Sequence, residues 1–247
     1  MSRKIFFTLV FVFLLILIIS ATFVFQYLKN KFEEEPTPIK KEKVKLQTDD
    51  GVYIIGNFYY NPGSKFSGIL IHSLGGNKEK FEKLSKFLSN FYSILEIDLR
   101  GHGESINSIR GRVNLEKENC ENYIYDILSA SKFLESKGFK ASNQFLIGEE
   151  EGANILLKFL SFNKEIKAGV LLFPKEDYCQ ISIEKYLTNE IGNKIFVISG
   201  ENTILDIFRK QATSSSILIY KEEIKNRIFD FKEINDKIKV FLIEHLI

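Results

Sequence analysis

The chain has no tryptophan, one methionine, two cysteines, three histidines and four prolines in 247 residues. The two cysteines, Cys120 and Cys179, show no CxxC spacing and no neighbouring histidine, which argues against a zinc site. No metal and no other cofactor is expected. The two cysteines stand either as buried thiols or, in an exported domain, as a disulfide. Charge of one sign is also missing: 34 basic residues meet 32 acidic ones, a formal net charge of +2. No basic stripe interleaved with aromatics occurs, so no nucleic-acid partner is expected. The shortage of Pro and Trp beside abundant Lys, Ile, Phe and Asn reads as a bias of the source genome rather than as function.

What is present begins with one long apolar run. Ile5 to Phe25 carries no charge and is about as long as the ~20 residues a helix needs to cross hydrocarbon. Arg3 and Lys4 precede it, which favours a cytoplasmic N-terminus and a C-terminal domain outside the membrane. Lys29 and Lys31 weaken that assignment, with Glu33, Glu34 and Glu35 close behind. A cleaved signal peptide is the competing reading. The run is long for one, and Ser20-Ala21-Thr22 is a poor cleavage site inside the apolar stretch. The expectation is a transmembrane anchor over residues 1–28, a polar tether over 29–43 containing Pro36 and Pro38, and a folded domain over 44–247.

Within that domain, strand and helix patterns alternate, which argues for a mostly parallel sheet covered by helices. Val44–Gln47 and Val52–Tyr60 flank Asp49-Asp50-Gly51, a hairpin signal. Strands are expected at Gly68–His72, Ser93–Ile97, Gln144–Ile147, Ala168–Phe173, Lys194–Ile198 and Ile217–Tyr220. Helices are expected at Lys78–Ser89, Asn122–Ser136, Asn154–Phe162 and Phe231–Leu246, each with apolar residues on one face.

Three glycine-bearing segments follow strand patterns. They are Ile71-His72-Ser73-Leu74-Gly75-Gly76, Asp98-Leu99-Arg100-Gly101-His102-Gly103-Glu104-Ser105, and Leu146-Ile147-Gly148-Glu149-Glu150-Glu151-Gly152-Ala153-Asn154. Together they resemble the α/β-hydrolase superfamily, in particular small bacterial esterase- and lipase-like members. The resemblance covers Val44 to the C-terminus. It implies an α/β-hydrolase fold with an oxyanion loop at His72, Ser73, Leu74 and Gly75. It also implies a structural turn at the RGHG run holding His102, and a nucleophile elbow of GxSxG type in which Glu150 takes the serine position beside Glu151. By the same resemblance the catalytic acid falls at Thr203 or, one residue over, Asn202, and the catalytic histidine near Glu222 or Glu223. None of these residues can fill its role.

Serine-type hydrolysis needs a hydroxyl activated by an imidazole, and an imidazole held by a carboxylate. His72 belongs to the oxyanion loop, His102 to the RGHG turn, and His245 to the end of the last helix. The expectation is therefore a non-catalytic domain that binds or scaffolds a protein or small molecule. The alternative is an ester hydrolase with displaced residues, using Ser73, Ser105 or Ser199 as nucleophile and His102 as base. A carboxylate-nucleophile route through Glu150 still lacks the histidine that would activate water for the second half-reaction.

Overall fold

The computed structural model describes residues 15–24, 39–113, 120–178, 180–187, 192–211, 217–221 and 232–246. The chain divides into two units, Met1–Pro38 and Ile39–Ile247. In the first, residues 15–24 form a helix, α1, with every side chain exposed. Among the described residues no helix is long and apolar enough to cross a membrane. Most of the expected span Ile5–Phe25 lies outside them.

The second unit opens with β1 (Lys40–Gln47) and β2 (Val52–Tyr60), paired antiparallel from Lys40↔Tyr60 to Gln47↔Tyr53. The hairpin is where the Asp-Asp-Gly signal put it, but β1 starts at Lys40, inside the stretch assigned to the tether. Its four lysines, all exposed, are those of an outer strand, where charge discourages further pairing. Composition alone therefore read it as linker.

Next come β3 (Ser67–Ile71), α2 (Glu82–Leu88) after one 3₁₀ turn, and β4 (Ser93–Ile97). A short hairpin, β5 (Asn107–Ser108) and β6 (Gly111–Arg112), leads toward α3 (Tyr123–Ser136). Then follow β7 (Gln144–Glu149), α4 (Glu151–Phe162), β8 (Ala168–Leu172), the hairpin β9 (Asp177–Tyr178) and β10 (Ile181–Ser182), and α5 (Ile183–Tyr186). The chain ends with β11 (Lys194–Ser199), α6 (Asn202–Gln211), β12 (Ile217–Lys221) and α7 (Lys232–Leu246). The two small hairpins, α5 and α6 carried no apolar run long enough to be read in advance.

The main strands lie in the order β1-β2-β4-β3-β7-β8-β11-β12. From β4 to β12 every pair is parallel. The central strands are buried along their whole length because both faces are covered. Ile69, Leu146, Leu171 and Val197 point toward the side packed by α3, α4 and α6. Their neighbours Leu70, Ile147, Val170 and Ile198 point toward α2 and α7. The alternation of a strand thus feeds two cores, and the carboxyl ends of the strands gather the loops that carry the three glycine-bearing segments.

Candidate functional site

The site is built on the turn between β7 and α4. Glu150 sits at its tip with φ 49° and ψ −116°. Such a conformation costs roughly 1–3 kcal/mol for a residue with a side chain. Its neighbours hold it there. The Glu150 N–H donates to Leu172 O on the adjacent strand at 2.8 Å. Behind the tip the backbone is too close to admit a side chain: a Cβ at Gly148 would meet Gly152 O at 2.6 Å, and a Cβ at Gly152 would meet Ile71 O and His72 O at 2.6 Å. The two glycines therefore serve close packing of β7, α4 and the β3 loop. Asn154, buried in α4, fixes the far side: it accepts from Lys175 N at 2.9 Å and donates to Lys175 O and Ile181 O.

The three consecutive glutamates go different ways. Glu149 is buried, and burial raises its carboxyl above the ordinary range while Lys80 opposes the rise. The Lys80 ammonium lies 2.6 Å from Glu149 Oε2 and donates to Ser73 Oγ at 3.2 Å. Glu150 is mostly covered and has Lys175 Nζ at 3.7 Å. Glu151 turns back, and its Oε2 accepts from Leu74 N at 3.3 Å. Lys80 and Lys175 did not stand out in the sequence. The only hint was that Lys78 and Lys80 lie within four residues of the Gly75-Gly76 turn.

His72 is fully buried and both ring nitrogens are engaged by backbone. Nδ1 lies 2.7 Å from Ser73 O, and Nε2 accepts from Leu99 N at 3.0 Å. That pattern fixes a neutral ring with its proton on Nδ1. Burial lowers its pKa to about 4. His102 sets Nδ1 2.9 Å from Arg100 O, and its ring lies 5.4 Å from that of His72. His245 packs edge-on against Phe241. Among the described residues none of the three imidazoles hydrogen-bonds to a serine hydroxyl or a glutamate of the elbow.

The Asp98–Ser105 run is an ionic knot rather than a source of reactive groups. Asp98, fully buried, accepts from Lys78 N and Lys78 Nζ, each at 2.7 Å, and from Glu104 N at 2.9 Å. Burial opposes the Lys78 charge, but Asp98 and Glu104 hold the ammonium protonated. Gly103 has φ 49°, and a side chain there would run into the Asp98 carboxylate. Arg100, also fully buried, donates from Nε and N to Asp126, each at 2.8 Å, and from Nη1 to Asp50 at 2.6 Å. Asp126 escaped the sequence reading. An acid on the inward face of α3, beside Ile127, was the available signal.

The alternative nucleophiles are committed elsewhere. Ser105 Oγ donates to Asp98 O and accepts from Ile55 N, each at 2.8 Å. Ser199 Oγ accepts from Glu201 N at 3.2 Å. Ser73 has Lys80, and none of the three shares a hydrogen bond with His102. Thr203 lies exposed in the first turn of α6. Glu222 and Glu223 lie outside the described residues. Cys120 is disulfide-bonded, and the other cysteine of the sequence, Cys179, lies outside the described residues. Among the described residues no group of three or more His, Cys, Asp or Glu side chains could hold a metal ion.

No family model matches the chain. A curated Haemophilus influenzae protein named "Putative esterase/lipase" is 26% identical over 132 residues, covering 53% of this chain and 41% of that protein. The matched stretch thus spans about two fifths of the relative. A Pyrococcus furiosus esterase structure superposes with a TM-score of 0.70 at 18% identity, over 84% of this chain and 92% of that one. A dienelactone hydrolase from Anabaena variabilis gives 0.66 at 12% identity, over 85% and 100%. The chain has the α/β-hydrolase fold.

Proposed function

We propose that the chain is a membrane-tethered α/β-hydrolase-fold protein that binds or scaffolds a partner and does not hydrolyse esters. One observation carries the reading. The strained elbow that presents a nucleophile in this fold presents Glu150, and the two histidines of the loops after β3 and β4, His72 and His102, are hydrogen-bonded to backbone rather than to any hydroxyl. The exposed Thr203 supports it, since a threonine cannot supply the negative charge that would stabilise an imidazolium. The test is hydrolysis of short-chain p-nitrophenyl esters by the full-length protein in detergent. The expected rate equals that of the buffer. Turnover that disappears in His102→Ala would overturn the reading.

One contact favours a second reading. Lys80 Nζ lies 3.2 Å from Ser73 Oγ, which makes Ser73 the strongest of the displaced nucleophiles. The same assay decides it, because turnover would then disappear in Ser73→Ala.

The domain is assigned to the extracytoplasmic side of the membrane. The basic residues before the apolar run support this, as does the disulfide at Cys120, a bond that persists in oxidising compartments. Peptide mass spectrometry without reduction should find Cys120 and Cys179 linked. Two free thiols in protein taken directly from membranes would count against the assignment.

A further inference from the structure

Glu149 meets side chains of the segment after β3, Lys80 and Ser73, whereas Glu151 reaches back to a backbone N–H of that loop. We infer that Glu151 is an internal plug: its carboxylate occupies the oxyanion position of the fold. The two donors of that position are an N–H of the loop after β3 and the N–H of the residue that follows the elbow tip. Here the first is Leu74 N, which donates to Glu151 Oε2 at 3.3 Å. The second is the N–H of Glu151 itself, the opening residue of α4, where no intrahelical acceptor exists. One residue thus provides both a donor and the anion that competes for it.

Physical chemistry favours the arrangement at rest. The positive end of α4 attracts a carboxylate in its first turn. The partly buried Leu74 N–H gains an acceptor that it would otherwise take from water. A developing oxyanion needs donors at about 2.7–3.1 Å, and it would have to displace a negative group already there. The plug therefore excludes acyl and other anionic groups from the elbow, separately from the hydroxyl missing at Glu150. This deepens the proposed function and rests on it in one respect: no substrate anion claims the Leu74 N–H in place of Glu151.

The test reads the Leu74 amide proton by NMR in ¹⁵N-labelled full-length protein in detergent micelles, with sodium acetate as the probe. In the wild type the resonance should lie downfield and ignore acetate. In Glu151→Ala it should move upfield, and acetate should return it along a saturable curve. In Glu151→Gln, which keeps a neutral acceptor of the same length, it should move part of the way and still ignore acetate. An amide unmoved by Glu151→Ala, or acetate shifting wild type and variant alike, overturns the proposal. If Glu151→Ala does not fold, an unmoved amide in Glu151→Gln does the same. Ester turnover by the wild type would remove the non-catalytic reading while leaving the Leu74 measurement as it stands, so the two failures are distinguishable.

Discussion

Lys78 and Asp98 form an ion pair of 2.7 Å with both side chains out of reach of water. Removing Lys78 leaves the buried Asp98 carboxylate with backbone donors alone, and removing Asp98 leaves the buried Lys78 ammonium to the half-exposed Glu104 and Glu79. Asp98→Ala and Lys78→Met should each cost about 3–5 kcal/mol, measured as the loss in unfolding free energy in urea. The double variant Lys78→Met/Asp98→Leu should recover most of that loss. A double variant as unstable as the sum of the singles would show that the knot is needed for more than charge balance.

Gly152 makes a separate prediction. The atoms that a Cβ would strike are carbonyl oxygens of Ile71 and His72, which cannot swing aside as a flexible side chain could. Gly152→Ala should destabilise by about 1–3 kcal/mol. Gly192, where an added Cβ meets nothing, should accept alanine with a change near zero. Thermal unfolding of the two variants side by side is the check.

His72 should contribute a loss of stability in acid. Its folded pKa of about 4 lies below the ordinary 6.5. The unfolded chain therefore binds a proton that the native ring refuses. The stabilisation is complete above pH 6.5, declines as pH falls through the folded value, and is bounded at about 3 kcal/mol. The buried carboxyls of Asp126, Glu96 and Glu149, raised by burial, act in the opposite direction, so the check compares wild type with His72→Asn in the change of denaturant midpoint between pH 7 and pH 4.5. His72→Asn should be less stable at pH 7 and should lose less on acidification.

Restoring a hydroxyl should not restore chemistry. Glu150→Ser should leave p-nitrophenyl butyrate hydrolysis at the buffer rate, and Glu150→Ser/Glu151→Ala should do no better, for want of an imidazole to take the proton. A rate above buffer in either variant would mean that Lys80 or His102 can act as base.

Glu150→Gly, by contrast, should raise the melting temperature slightly. Glycine relieves a left-handed backbone worth roughly 1–3 kcal/mol but returns about 0.5–1 kcal/mol through the freer unfolded chain.

The strands, their order of appearance and the elbow were legible because they depend on local pattern: buried apolar runs, a helix period, and glycines placed after strands. Glu149, Glu150 and Glu151 could be counted in the sequence but not told apart. Which one meets Lys80, Lys175 or Leu74 N depends on how the loops after β3 and β8 converge on the turn, and that is long-range geometry. His72 shows the same limit. It follows β3 directly, as its place after a strand pattern implied, but its bond to Leu99 N joins residues far apart in the chain. The start of β1 was misread because its stability comes from pairing with β2 rather than from its own composition. The helix α6 was missed although it holds Thr203.

The tip of the elbow is held by the backbone bond to Leu172 and by the close fit behind Gly148 and Gly152, not by its own side chain. Position 150 therefore works as a socket. Whatever side chain is inserted there leaves the turn in the same direction, so exchanging that one residue varies the chemistry offered at the strand ends while leaving the scaffold fixed.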